Sequence, residues 1–223
     1  MGGLLFYDWS TLPFVILVLV LSFTIHEFAH AYSAYKLGDD TAYRFGRVSL
    51  NPMVHLDLFG TIMLLIAGFG WAKPVPVNRG NFKNPRLMGI IVTAAGPISN
   101  LILAFISLFV AMLFEKYGWT NGMTKGSADA IHLFLQLMIV INIRLFLFNL
   151  IPIPPLDGYR IIQDVVNLKY SEALLKFEQW ASVIFLLVVF VPPLRRVTLD
   201  PYLGLGNDIL NLFLRPIAWM LGM

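Results

Sequence analysis

Hydrophobic positions in this chain gather into long runs rather than alternating stretches. One extends from Leu12 to Leu37, a second from Leu87 to Phe114 and a third from Ile131 to Ile151. Each is long enough to carry an α-helix across the roughly 30 Å hydrocarbon layer of a bilayer. Ser10 and Thr11 are candidate caps for the first helix, Pro13 suits its opening turn and Gly38 its exit. At 1.5 Å per residue that helix would measure about 39 Å, enough to cross with some tilt.

Between the runs the pattern changes. Leu58 to Trp71 is apolar but too short to span, and Gly60, Gly68 and Gly70 interrupt it, which predicts a re-entrant or partly extended segment beside a water-filled cavity. Ala72 to Asn78 alternates proline with valine and reads as an edge strand or extended loop. After the third run, Pro152, Pro154 and Pro155 predict an extended chain that holds Asp157 on rigid, non-helical backbone, with Gly158 permitting a turn. Tyr159 to Gln179 reads as an amphipathic surface helix. Trp180 to Leu194 and Leu203 to Met223 read as additional membrane helices, the latter broken by Asn207, Asp208, Asn211, Arg215 and Pro216. The expected fold is an all-α polytopic membrane protein with three core transmembrane helices, a re-entrant or extended segment and additional C-terminal membrane helices. It forms one membrane-embedded domain over 1–223, with a core at about 12–160 and the C-terminal helices at about 161–223.

Composition supports the membrane assignment, with 58% hydrophobic against 13% charged residues and a mean hydropathy of +0.74. The net charge of +3 is spread over loops and fits lipid headgroups; no basic tract points to nucleic acid. Lys73, Arg79, Lys83 and Arg86 fall in a stretch free of acidic residues. By the positive-inside rule that loop, and the nearby chemistry, face the cytoplasm of a cell membrane, with a prokaryotic setting expected. Met1 to Thr11 carries only Asp8 as a charge and no cleavage site follows, so no removable signal peptide is expected. The chain contains no cysteine, so any metal must be held by His, Asp, Glu or carbonyl groups.

The first run contains His26-Glu27-Phe28-Ala29-His30. Residues i and i+4 share a helix face, so two imidazoles can meet one metal ion while Glu27 projects beside them as a base for a metal-activated water. Such residues are costly in lipid, which favours a site facing the protein interior. A catalytic zinc usually takes three protein ligands and leaves one position open. Asp157 is the preferred third ligand; His55 is the competitor, or else supports the site from behind. Asn149 is a candidate donor to substrate or to a developing oxyanion, with a helix-end cap as its alternative. Asn100, an amide within a membrane helix, needs a partner and is a second candidate for such support. Arg144 either snorkels to the interface or pairs with a buried carboxylate. A membrane cation transporter or channel could use the same His, Glu and Asp cluster, although a cation path does not require a base directly after the first ligand.

With these residues in view the chain resembles the site-2 protease family of intramembrane zinc metalloproteases. His26 to His30 matches its signature, and Asn149 to Gly158 resembles its second motif. Asn51-Pro52 with His55 and Asp57, Gly70 to Asn78, and Gly96-Pro97 with Asn100 resemble further segments. The resemblance implies one zinc ion held by His26, His30 and Asp157, Glu27 as general base, and cleavage of a peptide bond within or beside a transmembrane segment of a membrane-protein substrate. No PDZ-like insertion and no cystathionine-synthase-type pair is recognisable in these residues, consistent with a minimal form. The extended stretch Lys73 to Asn78 is expected to pair with an unwound substrate by strand addition.

Overall fold

The structure is a computed structural model that describes residues 8–67, 70–166 and 171–223. The start of the N-terminal stretch, Gly68 in the predicted re-entrant segment and part of the predicted amphipathic helix lie outside the described residues.

Three helices are long and apolar enough to cross a membrane: α1 (Leu12–Lys36), α4 (Pro85–Tyr117) and α5 (Lys125–Asn149). Between α1 and α4 come two shorter helices, α2 (Thr41–Arg44) and α3 (Leu58–Ala67). After α5 follow α6 (Asp157–Val165), α7 (Ser171–Phe190), α8 (Pro192–Val197), α9 (Leu199–Gly204) and α10 (Gly206–Leu221). No strand is assigned among the described residues; one antiparallel bridge joins Leu56 to Ala72.

Both later spans start earlier than the apolar runs suggest, because a polar residue caps each. Asn84 accepts the Leu87 N–H and Thr124 accepts the Ser127 N–H, which adds two residues ahead of the apolar part of α4 and six ahead of that of α5. His132, next to the start of the third apolar run, is therefore inside α5. At α1 the expected side-chain cap is absent: Thr11 donates instead to the Asp8 carbonyl. Gly38 leaves the helix with a φ of 105°, a conformation that an L side chain rarely adopts.

Two expectations about irregular backbone change. The first part of Leu58–Trp71, expected as a re-entrant or partly extended segment, is a ten-residue helix. Gly60 lets this helix approach the chain closely, since a Cβ there would lie 2.0 Å from the Trp71 carbonyl oxygen. Asp157, expected on extended chain, is instead the first residue of α6, and residues 151–156 before it form bends and a turn, with extended dihedrals at Leu156. Gly158 makes this possible, because a Cβ would come within 2.2 Å of the Leu150 carbonyl oxygen at the turn.

Apolar packing ties the spans together. Val15, Val18 and Leu19 of α1 meet Met138 and Ile141 of α5. Ala104 and Leu108 of α4, with Ile139, Ile143 and Leu147 of α5, enclose Ile217 and Leu221 of α10. Ala31, next to His30, packs on Val75, and Ala34, one turn of α1 further on, packs on Phe82 and Val92. The extended segment after Trp71 is thereby fastened to the same helix that carries the histidine pair.

Candidate metal centre

The site lies where α1, α4 and the first turn of α6 meet. His26, His30 and Asp157 are all buried. The two Nε2 atoms are 3.1 Å apart, and Asp157 Oδ2 is 3.2 Å from each. Neighbouring groups determine which atoms carry protons. His30 Nδ1 is 2.7 Å from the Val92 carbonyl, which can only accept, so Nδ1 carries the hydrogen and Nε2 presents a lone pair.

His26 is oriented through a longer relay. Asn142 donates to the Met138 carbonyl on its own helix, which turns its Oδ1 toward α4. That oxygen accepts from Asn100 Nδ2 at 2.8 Å, so Asn100 Oδ1 faces His26 Nδ1 at 2.6 Å. Asn100 Nδ2 also reaches the Ser22 carbonyl at 3.4 Å. The consequence is a second Nε2 lone pair aimed at the same point. Two nitrogen lone pairs and a carboxylate oxygen at this spacing repel one another unless they share a cation. Tetrahedral zinc ligands at about 2.0–2.1 Å from the ion stand about 3.3 Å apart, so the triangle fits three corners of a zinc site. Among the described residues no donor hydrogen-bonds to Asp157 Oδ2.

Gly96 decides whether the imidazoles can occupy these positions. A Cβ there would lie 2.3 Å from His30 Nε2 and 2.7 Å from His26 Cε1, so the backbone of α4 passes directly against both rings. Beside them Glu27, itself buried, lines a cavity of about 1160 Å³ together with His26, His30, Asp157 and Asn149. Trp71, Pro74, Val75 and Val77 form part of the same wall.

The other candidates fall in different places. Asn100 is fully buried and bonded to His26, Asn142 and Ser22, so it is placed to orient a histidine rather than to meet substrate. Asn149 Nδ2 donates to the Leu145 carbonyl one turn back, while its residue borders the cavity. His55 is fully buried and stands apart from the His26, His30 and Asp157 cluster; its Nε2 lies 2.7 Å from the Ser49 carbonyl. Arg144 is exposed on α5 and borders the cavity, with no ion pair among the described residues, so of its two alternatives the pairing with a buried carboxylate is not found. Asn142 escaped sequence reasoning, although an amide within an apolar span was its signal. The Val92 carbonyl had no signal at all, because a main-chain acceptor can come from any residue.

The profile of peptidase family M50 matches residues 14–192. The chain is 50% identical over 214 residues to a Bacillus subtilis (strain 168) protein named "Putative zinc metalloprotease YwhC", covering 96% of each chain. It is 34% identical over 182 residues to "Putative zinc metalloprotease Rip2" of Mycobacterium tuberculosis (strain ATCC 25618 / H37Rv), covering 78% of this chain and 65% of that one. A weaker likeness, 25% over 163 residues, links it to "Zinc metalloprotease MJ0392" of Methanocaldococcus jannaschii, of which it covers 36%. No solved structure gives a significant match. A buried His-His-Asp cluster among apolar spans thus coincides with a family match over most of the chain: this protein belongs to peptidase family M50, the site-2 protease family, and is a membrane metalloprotease of the zinc-dependent kind.

Proposed function

We propose that this chain acts as a single membrane-embedded domain that hydrolyses a peptide bond within or beside a transmembrane segment of a substrate protein. His26, His30 and Asp157 hold one zinc ion, and Glu27 is the general base. The observation that carries the reading is the convergence of three buried ligand atoms within 4.8 Å of one another on the wall of a large cavity that Glu27 also lines. When bound, zinc supplies Lewis acidity, lowering the pKa of water toward neutrality and polarising a carbonyl.

The protein's own groups do the rest. Glu27 takes a proton from the attacking water on a carboxylate oxygen and later delivers it to the leaving amine nitrogen. Asn100 and Val92 keep both Nδ1 atoms protonated, so neither Nε2 carries a hydrogen into the centre. Asn149 stands at the cavity edge, where its amide can meet the substrate backbone.

A helical substrate must unwind before any carbonyl is accessible, and the segment after Trp71 is suited to receive it. Lys73 N–H, Lys73 C=O, Pro74 C=O and Asn78 N–H are already bonded, whereas the N–H groups of Val75 and Val77, two residues apart, have no partner among the described residues. Alternate free amides are what an added strand would pair with. The catalytic side faces the cytoplasm in this reading, as the basic loop implies.

The test uses purified zinc-loaded protein in lipid with a transmembrane substrate bearing a helix-breaking residue. Glu27→Gln is expected to abolish cleavage, a loss of about 10²–10⁴-fold or more, while retaining zinc. Cleavage that survives this substitution would remove Glu27 from its role.

A further inference from the structure

Asp157 has a second buried acid behind it on α6. Asp164 lies seven residues further on, about 10 Å along the helix axis and on the same face. α6 packs on α4, where two glycines repeat that interval in the opposite sense. Gly96 lies against the imidazoles that Asp157 meets. Gly89 lies against Asp164, since a Cβ at Gly89 would come 2.7 Å from Asp164 Oδ2. Close approaches to α4 therefore occur near both ends of α6. The first carries the metal ligands, and the chemistry proposed above leaves the second unused.

A buried carboxylate needs compensation, and Arg79 supplies it: Arg79 Nη1 lies 2.8 Å from Asp164 Oδ1. The guanidinium is pressed on the same glycine, because a Gly89 Cβ would meet Arg79 Nε at 3.4 Å. Among the described residues Asp164 has no other ion pair, and its Oδ2 has no hydrogen-bond partner. Arg79 is itself firmly based. It opens the single 3₁₀ turn Arg79–Asn81, and the next residue, Phe82, is buried against Ala34 of α1 and Val92 of α4. Val92 is also the residue whose carbonyl holds His30 Nδ1. A cation anchored on the helices that frame the histidines thus fastens the end of α6 remote from the ligand. Two turns of hydrogen-bonded helix move as one body, so a shift at Asp164 is passed on to Asp157.

We propose that Asp164 and Arg79 are positioning residues for the metal centre: their ion pair pins the far end of α6 on α4 and thereby sets where Asp157 presents Oδ2 to His26 and His30. The inference rests on Asp157 being a zinc ligand. It adds that this ligand is held in place by a pair that does not touch the metal.

The test is a double-mutant cycle read as zinc affinity, by competition with a chelator, on purified protein in detergent. Asp164→Ala removes the pair without a clash at Gly89 and should weaken zinc binding about tenfold. In an Asp157→Asn background the same change should alter affinity by less than about twofold, because the carboxylate that the pair positions is gone. A pair that merely held the fold together would lower affinity equally in both backgrounds. Arg79→Ala, at the cavity edge, should follow Asp164→Ala through the cycle and replaces it if the buried position tolerates no change. Arg79→Lys, which keeps a cation for Asp164, should stay within about threefold of the wild type. Native affinity in both alanine variants, or an equal loss with and without Asp157, overturns the proposal. Should Asp157→Asn alone bind zinc as tightly as the wild type, the ligand assignment fails instead.

Discussion

Asp39, just beyond the end of α1, and Asp157, at the start of α6, are both buried carboxylates with opposite surroundings. Asp39 accepts from Thr41 N–H, Thr41 Oγ1, Asn81 Nδ2 and Asn78 N–H, all between 2.5 and 3.1 Å. Every direction around it meets a donor. Asp157 instead turns Oδ2 toward two imidazole nitrogens whose own protons are engaged elsewhere. The first carboxylate closes its valences on a loop and holds the end of the extended segment in place. The second keeps one open and can bind a cation. Burial is common to both; what separates architecture from chemistry is whether the partners bring hydrogens.

The most damaging change should be Gly96→Ala. Its methyl group would occupy space held by both imidazoles, and α4 has no slack there because the same helix packs on α1 and α5. Zinc affinity should fall about 100-fold, read by competition with a chelator, with helix content by circular dichroism retained. If zinc binds normally, the close approach of α4 does not define the centre.

Asn100→Ala should come next, because it frees His26 Nδ1 and strands Asn142 Oδ1. A loss of about tenfold or somewhat more in zinc affinity is expected. Asn100→Asp, which retains an acceptor for His26, should recover part of it. Equal losses in the two variants would mean that the relay does not control the imidazole.

Asp39→Asn should leave zinc affinity near native and act on stability instead, lowering it by about 2 kcal/mol at neutral pH. Burial works against the Asp39 charge, yet hydrogen bonds from Thr41, Asn78 and Asn81 outweigh it and hold its pKa below the ordinary value. Its contribution is thus fully present above the unfolded value of about 3.9 and is lost as pH falls through the lower folded value. Thermal unfolding in detergent between about pH 6 and pH 3 should show this acid-limb loss in the wild type and a smaller one in Asp39→Asn. A zinc defect in this variant comparable with that of Gly96→Ala would erase the distinction between the two carboxylates.

Much of the centre was legible before any coordinates. The spacing of His26 and His30 within an apolar run already required one helix face and an interior site. Asp157 was identifiable as the preferred third ligand, although its place in the first turn of α6 was not. The reason is local: prolines announce where a helix cannot continue, but the resumption after Leu156 depends on how closely Gly158 can pass the Leu150 carbonyl. Asn100 was recognisable as a residue in need of a partner. Which partner it finds depends on the relative rotation of α1, α4 and α5.

By itself, the order of residues determined the three spans and the histidine pair, because run length and the i, i+4 relation are properties of a single helix. It also determined what the metal could be held by, since no cysteine was available. Only the tertiary structure decided that α6 delivers a carboxylate to that pair, that Gly96 makes room for it, and that Asn142, Asn100 and Val92 turn both rings the right way. Those outcomes depend on helices packing at fixed distances and rotations, and the contacts joining them link residues far apart in the chain, where no sequence period reaches.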